Sequence, residues 1–288
     1  MKRHPALCLG LLAMALGAAL LAPAATGLVP PAMMQLAALS ASAAGLILAA
    51  IEGGRSAVRV LLGRALIWRV GLQWWLFALF FPILPSVATV YLAGAAGRHT
   101  VDWSQLPPAY TALPALVFLI VFAGLGEEFG WRGFAVPRLQ SRHSALTTSL
   151  IIGGFHSLWH LPLFFVKGEM YHTLGLQVGY LPAFLGYGLL VTALAVQLTW
   201  IFNNTGGSVL LAAVYHGAGN AWNGYIDIYR GELAGPVAYV ALMVVVSVAL
   251  VVWYGPGTLT RTGLTGGTDG RDGPAATPAG GSRSRSGW

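Results

Sequence analysis

The chain has 288 residues, 56% of them hydrophobic and only 9% charged, with a formal net charge of +7 and a mean hydropathy of +0.70. An ordinary soluble domain carries roughly 25% charged residues, so this composition excludes a water-soluble globular protein and makes lipid the solvent. The basic residues lie between apolar runs rather than in one patch, which excludes a nucleic-acid partner, and the single cysteine, Cys8, excludes an intramolecular disulfide and a thiolate metal cage.

In chain order, apolar runs predict eight membrane helices at 6–24, 31–51, 70–95, 113–136, 145–166, 176–202, 207–225 and 235–254. Most approach the ~20 residues that a bilayer crossing needs. Met1-Lys2-Arg3-His4 ahead of the first run, with Ala22-Pro23-Ala24 behind it, also fits a cleaved signal peptide. The run is long for that role, so an uncleaved span is expected. Residues 52–69 carry Arg55, Arg59, Arg64 and Arg69 and are too charged to cross. They read as an amphipathic helix on an anionic leaflet. Pro30-Pro31, Pro107-Pro108, the run Asn203 to Gly207 and Gly255-Pro256-Gly257 punctuate the spans. Residues 255–288 are Gly, Thr, Ser, Pro and Arg with almost nothing to bury, a composition that predicts a disordered tail.

The expected fold class is therefore all-α: a polytopic membrane helix bundle of about eight transmembrane helices with one interfacial amphipathic helix. Its expected parts are N-terminal membrane helices at 1–51, the interfacial segment at 52–69, the main bundle at 70–254 and the tail at 255–288. With both termini in the cytoplasm, thirteen of the sixteen Lys and Arg residues fall inside; only Arg98, Lys167 and Arg230 fall outside. The chain is expected to be a multi-pass protein of the cell membrane. Trp103, Trp131, Trp200 and Trp253 lie near predicted span ends, as interface anchors do.

Three later spans carry polar groups that crossing a bilayer does not require. The fourth has Glu127, Glu128 and Arg132; the fifth has His156 and His160; the seventh has His216 and Asn220. A carboxylate in hydrocarbon costs about 2.5 kcal/mol or more, and such residues usually mark function. Residues four apart share a helix face, so Arg132 is expected to neutralise Glu128. Glu127 lies roughly 140° from Arg132 on a regular helix and is expected to face the bundle interior. Glu127 and His160 lie about equally far along the chain from the turn at Ser141–Ser144, which predicts one depth for both, roughly 24 Å from the turn.

Glutamate, imidazole and amide at one depth can perform hydrolysis. Glu127 can take a proton from water and return it to the leaving amine. His160 can orient the water, while His216 and Asn220 can donate to an oxyanion. Alternatively, Glu127, His160 and His216 can hold a divalent metal, zinc being the candidate, with water at the open position. His156-x-x-x-His160 lacks the glutamate of His-Glu-x-x-His and is not a zincin motif.

The ordered set Glu127-Glu128-Phe129-Gly130-Trp131-Arg132, His160-Leu161-Pro162 and His216-Gly217-Ala218-Gly219-Asn220, with Thr205-Gly206-Gly207-Ser208 before the third motif, resembles the CAAX-protease and bacteriocin-processing (CPBP, or Abi) intramembrane peptidases. The resemblance covers roughly residues 114–225. It implies an all-helical membrane peptidase in which Glu127, His160, His216 and Asn220 are catalytic and Glu128 and Arg132 support them. His156 stands where the family pattern has an aromatic; it is expected to pack as a ring, with an extra ligand or proton shuttle as the alternative. The expected partners are the lipid bilayer and a membrane-associated peptide or protein substrate. Two other functions fit the same residues: a non-catalytic, immunity-type or peptide-sequestering membrane protein, and a proton-coupled transporter using Glu127 and His160. The transporter lacks support from an inverted repeat.

Overall fold

A computed structural model describes residues 4–25, 31–97, 103–228 and 233–261. The first helix, α1, spans Pro5–Ala25. A tight 3₁₀ segment, Pro31–Ala38, leads into α2, Leu39–Gly63. Next come α3, Leu72–Phe80, and α4, Ile83–Ala95, which together make one span. A long rod, α5, covers Ala109–Gln140. It is followed by α6, Ala145–His160, α7, Met170–Val178, α8, Tyr180–Asn204, α9, Val209–Ile226, and α10, Ala234–Tyr254. The described residues contain no β-strand. The molecule is an all-α polytopic membrane bundle.

The span count differs from the expected eight. Among the described residues, six helices are long and apolar enough to cross, or seven if α6 and α7 are counted as one span broken by an 82° bend. The helix missing from both counts is α9. It carries His216, Asn220 and Asn223, and neighbouring helices bury most of it. Protein, rather than lipid, solvates this helix, so hydropathy is a poor guide to its placement.

The segment 52–69 continues α2 past a break at Gly53 and Gly54, where Gly54 takes φ +60°. That left-handed backbone is open to glycine at little cost. Just before the break, Glu52 pairs with Arg138 at 2.7 Å, and Arg138 lies over the Phe134 ring. The tail begins later than expected. Gly257 and Pro256 carbonyls accept from the amides of Ala145 and Leu146, and the Asn203 and Asn204 side chains donate to the carbonyls of Thr258 and Leu259. Polar partners thus pin residues that have little to bury, and Leu259 is fully enclosed. The rest of the expected tail, 262–288, lies outside the described residues. Two of the expected anchors, Trp131 and Trp200, are core residues instead, whereas Trp103 and Trp253 remain exposed.

The rod α5 is the centre of the fold. It is regular at Leu113–Leu119 and π-helical at Ile120–Leu125 and Phe129–Ala135, with Gly126–Glu128 between the two wide stretches. Such wide turns cluster at functional sites. They also free backbone groups that must find partners in an apolar medium; the Ser42 hydroxyl donates to the Leu125 carbonyl at 2.8 Å. α2 packs on one side of the rod and α9 on the other, while α6 runs along α8. Glycine sets the close approach to α9. A Cβ on Gly217 would sit 2.5 Å from the Ile120 backbone, and one on Gly124 would sit 2.4 Å from the Ala213 carbonyl oxygen. Small residues at such crossings let helix backbones touch.

Candidate active site

The close crossing of α5 and α9 brings Glu128 and His216 together. Glu128 Oε1 accepts from His216 Nδ1 at 2.8 Å, and Arg132 Nη1 lies 3.0 Å from Glu128 Oε2. All three side chains are buried. The i,i+4 pairing of Glu128 with Arg132 is the one expected, and the wide turn between them preserves it. The histidine contact was not expected. It fixes one face of the imidazole and leaves Nε2 for the cavity that His216 lines.

Glu127 does not stand free. Its Oε2 lies 2.7 Å from His156 Nε2. His156 does pack as a ring, stacked on Trp131 at a centroid distance of 5.0 Å, but the same ring also holds the carboxyl. His160 Nδ1 donates to the His156 carbonyl at 2.9 Å. With that proton on Nδ1, Nε2 of a neutral His160 is an acceptor.

Glu127, His156, His160, His216 and Asn220 line one cavity of about 340 Å³. Glu128 and Arg132 sit behind its wall. Glu127 and His160 offer ligand atoms within 4.8 Å of each other, a separation that one water can bridge with two ordinary hydrogen bonds. Residues that the motifs did not single out share the cavity. Tyr171 and Tyr187 flank His160, with ring centroids 5.8 and 4.9 Å from its own. Asn223 accepts from Ser86 at 2.6 Å and lines the cavity with Tyr215 and Tyr239. Asn223 lies seven residues after His216, on the same helix face, so its position was readable. Tyr171 lies after a bend and Tyr187 near the apolar start of its helix, where no spacing announces them.

The potential metal ligands also differ from the expected set. Glu127, His156 and His160 each offer one atom, all within 4.8 Å of one another, and could hold an ion. His216 is not among them. The donor types suit zinc. The spacing suits it less well: tetrahedral ligands at 2.0–2.1 Å from zinc are about 3.3 Å apart, and Glu127 and His156 are 2.7 Å apart. His156 Nδ1 has no hydrogen-bond partner among the described groups, whereas a metal-bound histidine almost always donates its other N–H. As placed, these side chains form a hydrogen bond rather than a cage.

Comparison with known proteins bears out the resemblance drawn from the motifs. Residues 108–222 match the family model of the type II CAAX prenyl endopeptidase Rce1-like proteins. That stretch contains every residue of the three motifs and is the part of the chain that is similar to the family. A CAAX prenyl protease 2 from Methanococcus maripaludis is 35% identical over 102 residues, which are 35% of this chain and 36% of that protein. The match thus spans about a third of the relative's length. With its apolar helices, the chain is a multi-pass membrane protein.

Proposed function

We propose that this protein is an intramembrane endopeptidase that hydrolyses a peptide bond of a membrane-associated protein or peptide. One observation carries the reading: Glu127, His160, His216 and Asn220, from three helices, line a single cavity inside a membrane bundle. The similarity to a CAAX prenyl protease supports it.

The chemistry follows from the hydrogen bonds. A water between Glu127 and His160 gives a proton to the Glu127 carboxylate as its oxygen attacks the peptide carbonyl. The bare Nε2 of His160 accepts the water's second hydrogen and fixes its direction. The carbonyl oxygen becomes an oxyanion, and His216 with the Asn220 amide donates to it. His216 donates its Nδ1–H to Glu128, so it serves the oxyanion in its imidazolium form, through Nε2–H. Glu127 then returns the proton to the leaving amine and the C–N bond breaks. A divalent ion on Glu127, His156 and His160 would supply a more acidic water, but the geometry of these residues does not favour it, and none of these steps needs it. In this reading both termini lie in the cytoplasm and residues 52–69 sit at the interface of the inner leaflet.

The test is cleavage of a membrane-peptide library by purified protein, read by mass spectrometry, for the parent and Glu127→Ala, with and without a chelator. The parent is expected to cut, chelated or not, and the variant is expected not to. No cleavage by either would favour the peptide-sequestering reading. Proton-linked uptake into liposomes without proteolysis would favour a transporter.

A further inference from the structure

His156 is almost completely buried and touches both groups that the proposed reaction needs to activate water. Its side chain meets Glu127 Oε2 at 2.7 Å, and its backbone carbonyl accepts from His160 Nδ1 at 2.9 Å. Its ring is held on one side by Trp131, at 5.0 Å, and is tilted against Trp159, at 5.8 Å. The partner census fixes its tautomer. A buried N–H without an acceptor costs about 1–3 kcal/mol, and orphaned donors are rarer than under-used acceptors. His156 Nδ1 has no partner among the described groups. A proton on Nδ1 would be stranded there, whereas a proton on Nε2 meets a carboxylate.

We infer that His156 is a positioning residue: it donates Nε2–H to Glu127 Oε2 and so aims the other carboxylate oxygen, Oε1, into the cavity. This inference rests on the reading of Glu127 as the group that activates water. Without the donor, a carboxylate in this cluster would be free to rotate toward Arg132 or His216. His156 then acts through Glu127 and touches neither water nor substrate.

Two variants and one spectrum test this. His156→Phe keeps a ring against Trp131 but has no donor. His156→Gln keeps an N–H donor at similar reach. Partners that orient a metal-ligating side chain are typically worth about 10–100-fold, and a loss of that size in kcat is expected for His156→Phe, with KM nearly unchanged. His156→Gln should recover most of the loss. Nitrogen-15 NMR of histidine-labelled protein in liposomes, assigned by subtraction of the His156→Phe spectrum, should show His156 protonated at Nε2 and bare at Nδ1, with the Nε2 signal moving in Glu127→Gln. A parent that cleaves nothing would count against the hydrolase reading alone. The spectrum would still decide, because an Nε2 proton indifferent to Glu127→Gln overturns the contact. A fully active His156→Phe also overturns the proposal. So does a parent carrying one zinc per chain that His156→Phe removes, since His156 would then be a ligand.

Discussion

At the scale of single residues, a buried cluster of three charged or titratable groups stands at the cavity wall. Glu128 is shared between Arg132 and His216, and all three are buried. Removing one partner of a buried ion pair leaves an uncompensated charge and typically costs about 3–5 kcal/mol. Arg132→Met should therefore lower the thermal unfolding temperature in detergent sharply. Glu127→Gln should leave it near the parent value, because the amide oxygen can still accept from His156. The same Glu127→Gln should reduce kcat by about 10²–10⁴-fold, the usual worth of a general base. Asn220→Ala, which removes one of the two proposed oxyanion donors, should cost about 10²–10³-fold. The pairing of Glu128 with Arg132 was legible because four-residue spacing survives the wider turn. The bond from His156 to Glu127 was not, because a ring in an aromatic's place carries no sign of the carboxylate on another helix.

At the scale of elements, α5 and its contact with α9 decide the geometry. Periodicity places a helix at 113–136, but it assumes 3.6 residues per turn, and the π-helical stretches on either side of Glu127 depart from it. The orientation of Glu127 was therefore less predictable than its depth. The crossing depends on glycine. Gly217→Val puts a Cβ 2.5 Å from main-chain atoms of Ile120, and no side-chain movement relieves that. Overpacking of this kind typically costs about 1–3 kcal/mol, and here it would also move His216 away from Glu128. Both the melting temperature and the cleavage rate should fall. Gly154→Ala is the control: nothing lies within 4 Å of the added methyl, so the cleavage rate should hold and the melting temperature should stay or rise slightly, as for a helical glycine replaced by alanine.

At the scale of the whole molecule, fold class and membrane character were legible from composition, because a chain with 9% charged residues has too few groups to face water. The number of crossings was less legible. Hydropathy treats α9 as a span among lipids, while its polar face is solvated by protein. The 82° bend between α6 and α7 puts a short helix where a connection between the spans predicted at 145–166 and 176–202 was expected, and carries Tyr171 into the cavity. Orientation is tested by labelling. In a Cys8→Ala background, a cysteine at Thr260 should resist a membrane-impermeant thiol reagent in intact cells, and one at Lys167 should react. The reverse pattern would invert the topology.

Whether Glu127 and His160 serve one water is measured most directly by a double-mutant cycle on single-turnover cleavage in proteoliposomes. Groups that act as one unit are strongly non-additive. The rate for Glu127→Gln combined with His160→Gln should match that of the more damaging single variant. If the two losses multiplied, these side chains would be working independently, and the shared catalytic water would be ruled out.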